Sequence, residues 1–111
     1  MMDGMQPIEN WLNICALEDI PVRGARRFQS ATGEIAVFRT STQEVYAIDN
    51  RCPHKNGPLS EGIVHETGVT CPLHSLVIDL TTGEARGSDT GCVKTYPVKV
   101  ADGRVFVSVA L

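Results

Sequence analysis

Two short loops hold the residue types that bind metals. Cys52-Pro53-His54-Lys55-Asn56-Gly57-Pro58 offers Cys-x-His, and Cys71-Pro72-Leu73-His74 offers Cys-x-x-His, with 16 residues between His54 and Cys71. Two soft thiolates and two imidazoles can bind zinc tetrahedrally. They can equally hold a cluster of two irons and two sulfides, with Cys on one iron and His on the other. The order of ligands separates these readings. Zinc fingers usually place both Cys in one knuckle and both His on a following helix. Here each loop gives one of each, and no helix is expected after them. Two equivalent loops gripping a flat two-metal unit from opposite sides would each supply one thiolate and one imidazole. The bland alternative is two core Cys and two surface His that share this spacing by coincidence.

The elements that must position these loops read as strands. Helical periodicity is nearly absent, and short alternating runs rich in Val, Ile, Thr, Tyr and Phe recur between glycine turns. Strands are expected at Trp11–Ala16, Ile35–Thr40, Glu44–Asn50, Ile63–His65, Val69–Thr70, Leu76–Asp79, Val93–Val100 and Arg104–Val109. Thr32-Gly33, Thr67-Gly68, Thr82-Gly83 and Asp102-Gly103 supply turns. The last is the clearest, since Tyr96, Val98 and Val100 alternate into it and Val105, Val107 and Val109 alternate out. Such spacing predicts an all-β fold, a small antiparallel sandwich or barrel. Residues 1–10 read as a flexible leader and 11–111 as one domain, with both metal loops inside about 50–80. Glu18–Arg27 reads as a loop broken by Pro21 and Gly24, and Arg23, Arg26 and Arg27 as a solvated patch.

Composition excludes several classes. With 111 residues, 42% hydrophobic and 21% charged, the chain suits one packed domain and not a disordered segment. Thirteen acidic against ten basic residues give a net charge of −3, which argues against nucleic acid as partner. The longest charge-free apolar-leaning stretch, Thr67–Ile78, covers 12 residues and contains Gly68, Pro72 and His74, too short for a membrane span of about 20. The start lacks the basic and apolar regions of a signal peptide. A cytoplasmic location is therefore expected, where Cys beside His reads as metal binding before disulfide.

The paired loops resemble the signature of Rieske [2Fe–2S] proteins. More narrowly, Cys52 to Gly62, Cys71 to His74 with Val77 to Ala85, and Gly91-Cys92-Val93-Lys94-Thr95-Tyr96-Pro97-Val98 are similar to the small subunit of assimilatory NAD(P)H-dependent nitrite reductase. The resemblance implies a Rieske-type β-sandwich carrying one [2Fe–2S] cluster in a small subdomain. It assigns Cys52 and Cys71 to the inner iron and His54 and His74 to the solvent-facing iron. It also implies a large-subunit partner that bears FAD, sirohaem and a [4Fe–4S] centre and reduces nitrite to ammonia, this chain being a non-catalytic electron-transfer subunit. The chain has no dinucleotide fingerprint of its own. The rival resemblance is to ferredoxins that deliver electrons to ring-hydroxylating dioxygenases. A structural or regulatory subunit is a third possibility.

With this ligand set, two ferric ions, two sulfides and two thiolates cancel, whereas four thiolates would leave a dianion that resists another electron. High-potential relatives add a Cys to each loop and hydroxyl donors near the sulfurs. Gly57, Leu73, Leu76 and Ile78 stand at those positions, so a potential at the low end of the Rieske range, around −150 mV, is expected. Gly57 and Pro58 are expected to shape the first loop, and Gly87-Ser88-Asp89-Thr90-Gly91 to form a third. Cys15 reads as a core thiol, Cys92 as structural, His65 as exposed turn surface and Trp11 as core.

Overall fold

The computed structural model describes residues 10–30, 33–52, 57–72, 76–86 and 91–109. Ten strands run through them: β1 (Asn10–Ala16), β2 (Gly24–Ser30), β3 (Gly33–Arg39), β4 (Val45–Asp49), β5 (Ile63–His65), β6 (Gly68–Thr70), β7 (Val77–Asp79), β8 (Thr95–Tyr96), β9 (Val98–Ala101) and β10 (Arg104–Val109). They form three antiparallel sheets with the orders β1-β10-β9, β2-β3-β4-β8 and β5-β6-β7. Two single 3₁₀ turns, Leu17–Asp19 and Leu59–Glu61, complete the regular structure among the described residues. No helix there is long and apolar enough to cross a membrane.

The layering follows from one run of sequence. Ile35-Ala36-Val37-Phe38 in β3 is continuously apolar, the pattern of a strand buried on both faces. Successive side chains point to opposite sides of a sheet. Accordingly, Ile35 and Val37 join Cys15, Ile20, Ala47, Tyr96, Val105 and Val107 in a core against the β1-β10-β9 sheet. Ala36 and Phe38 join Ile48, Leu59, Val64, Val69, Ile78 and Leu80 in a second core under the β5-β6-β7 sheet. The middle sheet is thus the shared wall, and truncating a side chain as large and buried as Phe38 would cost about 3–5 kcal/mol.

Most expected strands are present, and four readings need correction. Gly24–Ser30 is a strand, not loop: it pairs with β3 from Gly24↔Arg39 to Ser30↔Gly33. It is the sheet's edge, so Arg26 and Arg27 face solvent, and Arg27 forms exposed ion pairs with Glu34 and Glu61. The run Val93–Val100 is two strands, because Pro97 cannot donate to a ladder; β8 pairs with β4 and β9 with β10. The turn expected at Thr67-Gly68 falls one residue earlier, with Glu66 left-handed at φ 53° and Gly68 opening β6. Asn10 already pairs with Val109 in β1, while residues 1–9 lie outside the described ones. The Asp102-Gly103 hairpin is as expected, with both residues at positive φ (52° and 74°), the requirement of a tight two-residue turn.

Candidate metal centre

Of the four expected ligands, the structure places two. Cys52 and Cys71 are both buried in the core beneath the small sheet. His54 and His74 lie outside the described residues, as do 53, 55–56, 73 and 75. The two cysteines open their loops in the same way. Cys52 N–H donates to the Gly57 carbonyl at 2.8 Å, and Cys71 N–H donates to the Leu76 carbonyl at 2.8 Å. Each loop is therefore closed by a bond from the cysteine to the fifth residue on, with the cysteine at its root.

The supports beneath the loops differ. The second loop is a hairpin tip: β6 and β7 pair with each other at Thr70↔Val77, Val69↔Ile78 and Gly68↔Asp79, so the ladder itself sets the loop ends. The first loop leaves β4 and returns through the 3₁₀ turn Leu59–Glu61, which is not a ladder partner of β4. Here the Asn50 side chain makes the join. Its Oδ1 accepts the Ser60 N–H at 2.7 Å, and its Nδ2 donates to Ser60 Oγ at 2.9 Å and to Glu34 Oε1 at 3.0 Å. Its backbone N–H donates to the Glu34 carbonyl at 2.9 Å. Asn50 is 7% exposed, and losing the partner of a buried donor there would cost about 1–3 kcal/mol.

Two glycines hold the loops against their neighbours. A Cβ on Gly62 would lie 2.1 Å from the Thr70 carbonyl oxygen, so only glycine lets the end of the first loop lie against the strand that leads into Cys71. Gly83, at φ 81°, has the Val93 carbonyl 2.2 Å from where its Cβ would be. Val93 N–H donates to the Gly83 carbonyl at 2.7 Å and Ala85 N–H to the Gly91 carbonyl at 3.0 Å, with a bridge between Glu84 and Cys92. The segments 83–85 and 91–93 are thereby latched together beside β7, and Asp49 N–H donates to the Lys94 carbonyl at 2.9 Å, tying the latch to the middle sheet. Of the third loop, residues 87–90 lie outside the described ones.

The remaining candidates sort by environment. Cys15 is buried in the other core, and burial pushes its thiol up from the usual range, as suits an inert core residue. Cys92 is exposed in the latch. His65 is half-buried, not exposed, because its Nε2 sits 2.8 Å from Thr70 Oγ1. Trp11 is also only half-buried: it lies on the open face of the β1-β10-β9 sheet, where the Lys99 ammonium sits 4.6 Å from its ring centre. Among the described residues no set of three or more His, Cys, Asp or Glu is gathered for a metal. Sequence reasoning missed Asn50 and Ser60, whose only signal was an amide two residues before a candidate ligand.

Two thiols buried in one core, each at the root of an identically closed loop, suit a soft metal unit held from two sides. Residues 10–108 match the Rieske-like [2Fe-2S] domain family. The chain belongs to that family. It is an electron-transfer protein whose cofactor is a Rieske [2Fe–2S] cluster, and such proteins work with a larger oxidoreductase. It is 40% identical over 101 residues to a 3-phenylpropionate/cinnamic acid dioxygenase ferredoxin subunit of Photorhabdus laumondii, covering 89% of this chain and 94% of that one. Its fold overlays a ferredoxin of Sphingomonas yanoikuyae B1 with a TM-score of 0.81 at 30% identity, covering 91% of this Rieske chain and all of the ferredoxin. It also overlays a putative NADH-dependent nitrite reductase small subunit of Mycobacterium tuberculosis with a TM-score of 0.85 at 25% identity, covering 95% and 99% of the two chains.

Proposed function

We propose that this Rieske protein is the small subunit of a cytoplasmic NAD(P)H-dependent nitrite reductase, with Cys52 and Cys71 on one iron and His54 and His74 on the other. Its partner is then a large subunit that holds FAD, sirohaem and a [4Fe–4S] centre and converts nitrite to ammonia. The observation that carries this reading is the latch. The two stretches that carry the narrower resemblance, Val77–Ala85 and Gly91–Val98, are bonded to each other beside β7, and the overlay on the nitrite reductase small subunit runs through 95% of the chain at the TM-score of 0.85.

When bound, the cluster supplies one-electron uptake and release. The chain's own residues set the conditions for it. Burial of Cys52 and Cys71 keeps water from the sulfurs, and the paired loop closures fix where each thiolate stands. On this assignment His54 and His74 would hold the solvent-facing iron, the one a partner would meet.

A second reading rests on the 40% identity to the dioxygenase ferredoxin subunit: a carrier delivering electrons to the oxygenase of a ring-hydroxylating system. Deletion of the gene in its host separates them. The nitrite reductase reading expects growth on ammonium but not on nitrite as sole nitrogen source, restored by the intact gene. Normal growth on nitrite with loss of aromatic-ring hydroxylation would overturn it in favour of the ferredoxin.

A further inference from the structure

We infer that Asn50 is a positioning residue for the first cluster loop, its side-chain amide substituting for the missing strand ladder beneath Cys52. The inference rests on the assignment of Cys52 as an iron ligand. Both loops have the same closure, yet only the second stands on paired strands. At the first, the chain ends β4 at Asp49, passes Cys52, and turns back at Leu59–Glu61 with no strand to meet it. The 3₁₀ turn brings no cap of its own, since Pro58 precedes it without a side-chain bond. Asn50 Oδ1 takes the Ser60 N–H in place of that cap, and its two amide protons go to Ser60 Oγ and Glu34 Oε1. Both donors are therefore committed, which fixes the amide's orientation. Its grip spans the loop from two residues before Cys52 to three residues after Gly57. Arg27 lies 3.8 Å from Glu34 and from Glu61, bracketing the clamp from outside. A ligand held this way stays aligned only while the clamp is made, because supporting hydrogen bonds orient metal ligands and tune their strength.

The test uses full-length protein with its cluster assembled in the cell, in wild-type, Asn50→Ala, Ser60→Ala and Ser60→Thr forms. Cluster loss to an iron chelator is followed by visible absorbance at a temperature where far-UV circular dichroism shows each form folded, and the reduced cluster is examined by EPR. Asn50→Ala should lose its cluster at least tenfold faster than wild type, with shifted or broadened EPR features. Ser60→Ala, which keeps the backbone donor, should lose it two- to threefold faster, and Ser60→Thr, which keeps the hydroxyl, at the wild-type rate. Wild-type EPR features in folded Asn50→Ala, at any rate of loss, would overturn the inference and leave Asn50 a stability residue only. If Asn50→Ala fails to fold, Ser60→Ala decides: wild-type loss and EPR there would overturn it. A wild-type chain without iron and labile sulfide would instead overturn the ligand assignment beneath it.

Discussion

The two cysteine loops are closed by the same kind of backbone bond on different foundations. The loop after β6 is the tip of a hairpin, and its ends are set by ladder bonds that would form for many side chains. The loop after β4 has no strand ladder across its base among the described residues, and besides the Cys52–Gly57 backbone bond the buried Asn50 amide joins its ends. A fold can thus close two cysteine loops with the same backbone bond while one base rests on ladder bonds and the other on the side chain of Asn50. The glycine at 62 links the two, because the return of the first loop touches the strand that feeds the second.

The largest expected effect tests the side of the comparison on which the loops are equal. Cys52→Ser and Cys71→Ser should each remove the whole cluster and much of the stability, since metal binding is coupled to folding. Cys15→Ser and Cys92→Ser, one in the opposite core and one exposed in the latch, should keep iron at the wild-type level. Iron analysis of the four purified variants checks this. Retention of the cluster in Cys71→Ser alongside its loss in Cys92→Ser would break the pairing of the loops.

A much smaller effect is expected under the second loop. Asp79, at the end of β7, is held below the usual carboxylate range first by the Thr81 hydroxyl at 2.6 Å, then by the Thr81 N–H and the Arg86 guanidinium. A lowered carboxylate contributes stability above its unfolded value, about 3.9, and loses it as pH falls through the folded value. Because the site is only partly buried and solvent screens it, Asp79→Asn should cost less than about 1 kcal/mol near neutrality. The melting temperatures of wild type and variant should converge below about pH 4. A cost as large as that of Asn50→Ala would show that the hairpin, like the first loop, depends on one side chain.

Much of this was legible in the sequence, for physical reasons. The hairpin at Asp102-Gly103 announces itself because positive φ demands such residues. The candidate loops stand out because few arrangements put one Cys and one His in each of two loops, and of those four residues Cys52 and Cys71 are the described ones. The strand β2 was hidden, since an edge strand carrying Arg26 and Arg27 shows no apolar alternation. Pro97 was the sign that Val93–Val100 must change sheets, but alternation on both sides of it concealed the break. The Asn50 clamp left no trace in periodicity or spacing: its partners are 10 and 16 residues away, and only the fold brings them together.

The central claim, that these two loops carry an electron-transfer cluster, is tested most directly by counting iron, zinc and acid-labile sulfide in the intact chain purified anaerobically from iron-replete cells. Two irons and two sulfides per chain are expected, as a Rieske [2Fe–2S] cluster requires. One zinc per chain with no sulfide would contradict it.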